Sequence, residues 1–183
     1  IGMQHGVGWQ AGLNKLFEKE VSIPLKMEHS SFLWTDYLAT HKVFGHNEAG
    51  KPTHNDSGGW SGKTFNAFSS LHSEAYEYAK FIIAMLKQEG LHKSSFEEML
   101  AEQNHFKQEE KIKQETGQSG WGLGFAQKPT PYGLMHLHTG NNHSFQAYCM
   151  FIPEQKYGFV AFTNCGKMME FLQEVGKYLG EQF

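Results

Sequence analysis

Residues 121–164, WGLGFAQKPTPYGLMHLHTGNNHSFQAYCMFIPEQKYGFVAFTN, constrain the fold more than any other part of the chain. In residues 133–139, Leu134, His136 and His138 alternate with Met135, Leu137 and Thr139, the period of two that marks a strand. Phe145–Ile152 reads as a second strand. Pro153-Glu154-Gln155-Lys156 makes a turn, and Tyr157–Thr163 returns antiparallel. Residues 121–125 add a fourth strand, with large side chains on one face and glycines on the other. Such glycines let a neighbouring backbone or a ligand approach closely. The apolar face of a sheet needs cover. Met168–Leu179 offers a helix for this, with Phe171, Leu172, Val175 and Leu179 on its core side. The expected fold is α/β in content and α+β in arrangement: an antiparallel sheet covered by a C-terminal helix, after several helices and a long irregular segment.

The upstream half is less regular. Residues 12–20 form a short helix with Leu13, Leu16 and Phe17 on one face, stopped by Pro24. Residues 28–63 carry little periodicity and are rich in Gly, His, Asn and Asp, so residues 47–62 read as turns and loop. Ser73 stands where it can cap a helix over residues 74–88, with Tyr78, Ile82 and Met85 or Leu86 as its apolar stripe. Gly90 ends it. A second helix starts at Ser94, with Glu97 in capping-box spacing and Phe96, Met99 and Leu100 as anchors. Residues 103–118 are polar and read as an exposed helix or a link.

Composition excludes several classes. All 16 basic residues are Lys, so the bidentate guanidinium that reads guanine or clamps phosphate is missing, and the net charge is -3. A nucleic-acid partner is not expected. No apolar run reaches the length of a membrane span. Cys149 and Cys165 fit no common metal spacing, and Cys149 sits in the apolar run AYCMFI as a small buried hydrophobe. The N-terminal IGMQHGVGWQ lacks the pattern of a secretory signal and does not start with Met, so the sequence reads as a processed, excised or partial chain. One incomplete domain is expected over residues 1–183. Residues 12–66 would be the remnant of a helical region with loops, 67–118 a helical segment, and 119–183 the strands and last helix.

His136 and His138 share a strand face and His143 is near, so a zinc-dependent hydrolase is one reading. No Asp or Glu between Thr130 and Pro153 would complete an anionic shell.

Several blocks, in order, resemble the serine beta-lactamase and penicillin-binding-protein superfamily, in particular its class C beta-lactamase and esterase-like branch. They are PLKMEHSSF (residues 24–32), LHSEAYEYAKFI (71–82), WGLGF (121–125), His138-Thr139-Gly140 and GFVAFTN (158–164). His138-Thr139-Gly140 is similar to that family's third motif, Lys/His-Thr/Ser-Gly. The resemblance implies a cleft wall. Thr139 would hydrogen-bond a substrate carboxylate or carbonyl, and His138 would set the charge beside the general base. The backbone N–H of Asn141 would form half of an oxyanion hole. Gly140 would keep side chains from crowding a ligand along the strand. No cofactor is implied. The implied substrates of a complete enzyme are beta-lactams, D-alanyl peptides or small esters, handled in the periplasm or outside the cell.

The departures from the family pattern decide what this chain does alone. None of its serines has Lys three residues on, so Ser-x-x-Lys is missing. No Tyr-x-Asn or Ser-x-Asn element occurs either. The expectation is a C-terminal fragment that is inactive alone, or a non-catalytic binding or assembly module of the same fold. A sheet without its first strands would bare an edge and an apolar face, so a homo-oligomer through the sheet edge is also expected.

Overall fold

The computed structural model describes residues 9–53 and 67–180. The loop readings on residues 54–62 lie outside the described residues, as does the reading of residues 1–8. The described elements are α1 (Trp9–Phe17), a π-helical turn (Glu18–Ser22), α2 (Asp36–His41), α3 (Ala75–Lys87), α4 (Lys93–Leu100), β1 (Asn104–His105), α5 (Lys111–Thr116), β2 (Gly120–Trp121), β3 (Ala126–Thr130), β4 (Gly133–Asn142), β5 (Phe145–Ile152), β6 (Tyr157–Thr163) and α6 (Met168–Leu179). The strands form one six-stranded sheet in sequential order, antiparallel at β1–β2, β2–β3 and β3–β4. This is the expected α+β architecture.

The chain divides into two compact units. One comprises residues 1–81, 140–147 and 162–168; the other comprises 82–139, 148–161 and 169–183. The second unit holds most of the described apolar core: Ile82, Met85, Phe96, Phe106, Phe125, Met135, Leu137, Phe151 and Ile152. Residues 148–152 of β5 are all buried, so both faces of the sheet are covered there. That corrects the expectation of a bare apolar sheet face. Phe125 and Phe151 meet edge to face at 5.1 Å, a favoured aromatic geometry.

The first unit is organised differently. Met27, Leu38 and Met168 are its buried apolar anchors among the described residues, and a polar network does much of the holding. Buried Asn14 accepts the backbone N–H of Phe32 at 3.0 Å. The buried Glu77 carboxylate accepts the His29 N–H at 2.9 and 3.0 Å and the Ser30 hydroxyl at 2.6 Å. Burial of a carboxylate is tolerated only with such donors.

The sequence expectations are refined at several points. Residues 103–118 hold the exposed helix that was one of the two readings, α5, and also the two-residue β1, which was not expected. Residues 121–125 supply only the end of β2, and Gly124 turns the chain at φ 102° into β3, a strand the periodicity did not mark because Pro129 interrupts it. The helix expected from Ser94 begins at Lys93 behind His92, with no side-chain cap. Ser73 meets Ser30 Oγ at 2.7 Å. In α6, Leu172 is buried but Phe171 and Leu179 are 44% and 47% exposed, because its apolar arc is wider than the surface that covers it.

Candidate functional site

β4 positions the candidate residues. Its middle residues Met135, His136 and Leu137 are buried, and from His138 onward every residue to His143 is exposed. The strand continues through His138, Thr139, Gly140 and Asn141, so the motif lies within β4 near its end and not beyond it. His138 and Thr139 belong to one compact unit, Gly140 and Asn141 to the other.

In the first of these units, β3 holds β4 in register through Ala126↔Leu137 and Gln127↔His136. The Gln127 side chain is buried and donates to the Leu100 carbonyl at 2.6 Å. The His138 ring sits against the Trp121 ring, edge to face at 5.6 Å and 88°. The close approach expected at the glycines of residues 121–125 is present at Gly122 but not at Gly124, where a Cβ would meet nothing within 4 Å. A Cβ on Gly122 would lie 2.6 Å from the Met99 carbonyl oxygen, while Leu123 N–H donates to that same oxygen at 2.8 Å.

His136, one turn of the pleat away, has a different environment. It is 4% exposed, stacks on Phe151 at 5.2 Å, and its Nδ1 has no hydrogen-bond partner among the described residues. Burial pushes its pKa below the ordinary histidine value, with Glu154 pulling the other way. Buried Tyr148 donates to Met135 Sδ at 3.9 Å, and burial pushes its hydroxyl up to about 12. Tyr148 is therefore not poised as a base at neutral pH.

In the other unit, a Cβ on Gly140 would meet the Ala147 Cβ at 3.4 Å. Asn141 Oδ1 accepts the His143 N–H at 3.0 Å, which fixes the turn where His143 takes φ 57°. Asn142 Nδ2 donates to the Ser69 carbonyl at 3.0 Å.

Sequence reasoning missed a second polar group. His29 Nδ1 lies 3.1 Å from Glu74 and 3.8 Å from Glu77, and its ring stacks on Tyr37, which stacks on His41. Among the described residues this trio, and not the strand histidines, brings three metal-type ligand atoms within 4.8 Å. Both Glu77 oxygens already accept donors, so the trio reads as a hydrogen-bonded clasp between the 24–32 segment and the start of α3. Its only sequence signal was the pairing of the blocks PLKMEHSSF and LHSEAYEYAKFI.

Lys42 lies over the Trp34 and Phe145 rings at 5.5 and 5.3 Å, and Trp34 meets His72 edge to face. A surface depression lined by Ile83, Leu86, Lys87, Glu89 and Lys156 holds none of the motif residues. Among the described residues neither Cys149 nor Cys165 is joined in a disulfide. Among the described residues no helix is long and apolar enough to cross a membrane.

Comparison with known proteins agrees with this architecture. An octameric penicillin-binding protein homologue from Pyrococcus abyssi superposes with a TM-score of 0.71 at 20% identity, over 96% of this chain and 38% of that one. A beta-lactamase/D-alanine carboxypeptidase from Pseudomonas syringae gives 0.65 at 15% identity, over 98% and 55%. A D-stereospecific amidohydrolase from Streptomyces sp. gives 0.61 at 16%, over 92% and 48%. At these identities the likeness is one of fold, and the chain spans between 38% and 55% of the length of these proteins. No curated protein sequence matches. The family described as Beta-lactamase matches residues 6–181, nearly the whole chain. With the six-stranded sheet and the exposed His138-Thr139-Gly140 run already placed, that match shows that the chain belongs to the beta-lactamase family.

Proposed function

We propose that this chain is the part of a serine hydrolase of the class C beta-lactamase and esterase-like branch that supplies one wall of the substrate cleft. By itself it binds and does not turn over. The observation that carries the reading is the exposed run His138-Thr139-Gly140 along β4 in a member of the beta-lactamase family.

The chemistry follows from the residues present and missing. The Thr139 hydroxyl donates to a substrate carboxylate or carbonyl, and the Asn141 N–H donates to the oxygen that gains negative charge during acyl transfer. His138, held by Trp121, sets the charge beside them. Acylation also needs a nucleophile with a base within hydrogen-bond reach, and the sequence offers no Ser-x-x-Lys for that pair. Beta-lactams, D-alanyl peptides and small esters are the substrate classes, in the periplasm or outside the cell. No cofactor takes part. The chain self-associates through a sheet edge.

Thr139→Val tests the wall. Amide NMR of the chain titrated with a beta-lactam or a D-alanyl-D-alanine peptide should show weak binding with shifts centred on residues 138–141. Removing one hydroxyl donor should weaken it about five-fold, the usual worth of a neutral hydrogen bond. Absence of shifts in residues 138–141 at saturating ligand would contradict the assignment.

A further inference from the structure

We propose that His29, Glu74 and Glu77 form a zinc-binding site that ties residues 24–32 to the start of α3. The proposal does not rest on the reading of residues 138–141, and it gives the ion no step in acyl transfer.

The donor atoms come from two places in the chain. His29 lies in the 24–32 segment, and Glu74 and Glu77 stand three residues apart at the start of α3, a spacing that puts both on one helix face. His29 Nδ1 is 3.1 Å from Glu74 Oε1 and 3.8 Å from Glu77 Oε1, and the three donor atoms all lie within 4.8 Å of one another. Tetrahedral zinc with bonds of about 2.0–2.1 Å sets its ligand atoms about 3.3 Å apart. The two histidine–carboxylate separations bracket that value. The Glu74 side chain is 49% exposed and has room to close the remaining gap.

Charge points to a cation independently of this geometry. The Glu77 side chain is 3% exposed, and a buried carboxylate is costly without a counter-charge. Among the described residues no Lys lies within ion-pair distance of Glu74 or Glu77. Lys80, three residues further along α3 than Glu77, donates instead to the Lys26 carbonyl and lies over the Tyr76 ring. His29 brings at most one positive charge to two carboxylates. A divalent ion with both carboxylates and a neutral imidazole makes the centre neutral.

The hydrogen bonds of the clasp leave room for the ion. A carboxylate accepts at about four lone-pair positions. Glu77 uses them for the His29 backbone N–H, shared between its oxygens at 2.9 and 3.0 Å, and for the Ser30 hydroxyl at 2.6 Å. Ser30 Oγ in turn meets Ser73 Oγ at 2.7 Å. Outer donors of this kind orient a ligating carboxylate. The His29 ring is held by stacking on Tyr37 at 4.1 Å and 6°. An imidazole nitrogen among the donors disfavours magnesium and calcium, which take oxygen ligands. Three protein ligands of this mixed kind suit zinc, with water in its fourth position.

The test uses the full 183-residue chain, stripped of metal with a chelator and returned to chelator-free buffer. Calorimetric titration with zinc chloride should show one tight ion per chain, and zinc should raise the melting temperature as its concentration rises. His29→Gln and Glu74→Gln each remove one ligand but leave Glu77 its two donors, so circular dichroism should show that both fold. Each should weaken zinc binding at least ten-fold, the loss of roughly 10–100-fold being usual even for an outer partner of a metal ligand. Each should also abolish the rise in melting temperature. His105→Gln, which breaks the exposed contact with Glu102 at 2.9 Å, should change neither readout. If one of the ligand variants does not fold, imidazole NMR of the unaltered chain decides, since zinc should shift the His29 ring resonances first. Unchanged affinity in both ligand variants, loss of affinity in His105→Gln, or no tight zinc at all would overturn the proposal. Preference for magnesium or calcium over zinc would overturn the assignment of the ion. None of these readouts depends on ligand binding at Thr139.

Discussion

Glu77 and His72 illustrate the residue scale. In the sequence, Glu77 is an acidic residue in the first turn of a helix, which its location in α3 bears out. Its partners, His29 and Ser30, lie 48 and 47 positions away, and no local pattern encodes a buried carboxylate waiting for them. His136 and His138 show the same division: alternation placed both on one strand face, but only the packed structure separates a ring stacked on Phe151 from one exposed against Trp121. His72 yields a prediction. Burial, assisted by the Lys42 charge, pushes its pKa from 6.5 down to about 4. The folded chain therefore resists protonating this ring, and the unfolded chain holds more protons between those values. Its contribution to stability is complete above about pH 6.5 and is lost as the pH falls towards 4. Urea midpoints at pH 7.5 and pH 5 should differ, with a smaller difference in His72→Gln. Equal pH dependence in both proteins would remove His72 as the cause.

At the scale of elements, legibility followed length and periodicity. β5, β6, α3 and α6 could be read because each repeats its period over seven or more residues. β1 and β2 have two residues each, too few for any period, and Pro129 masks β3. α2 was also missed. It spans only six residues, and its start is set by Thr35 accepting the Leu38 N–H at 3.2 Å in a stretch without an apolar stripe. Of the two glycines in residues 121–125, Gly122 makes the close backbone approach expected and Gly124 instead turns the chain, and the approach at Gly122 can be tested. A methyl on Gly122 would meet a backbone carbonyl of α4, which cannot rotate away as a side-chain tip would. Gly122→Ala should cost about 1–3 kcal/mol, the usual penalty of overpacking. At this chain length that lowers Tm by roughly 2–4 °C per kcal/mol. An unchanged melting temperature would mean that the α4–β2 contact yields easily.

At the scale of the whole molecule, the sequence blocks located the family, while the division into two compact units could not be read from them. That division passes through α3, β4, β5, β6 and α6, each of which contributes residues to both units. Contiguous composition shifts cannot reveal such a boundary. The missing Ser-x-x-Lys is, by contrast, a plain property of the sequence. It sharpens the proposal made above, in which this member of the beta-lactamase family would supply a binding wall and would not acylate by itself. The most direct test is intact mass spectrometry of the purified chain with and without a fluorescent beta-lactam or an activated serine-hydrolase probe. The account predicts an unmodified species near 20.8 kDa in every case. A stoichiometric covalent adduct on any residue would contradict it and identify a nucleophile.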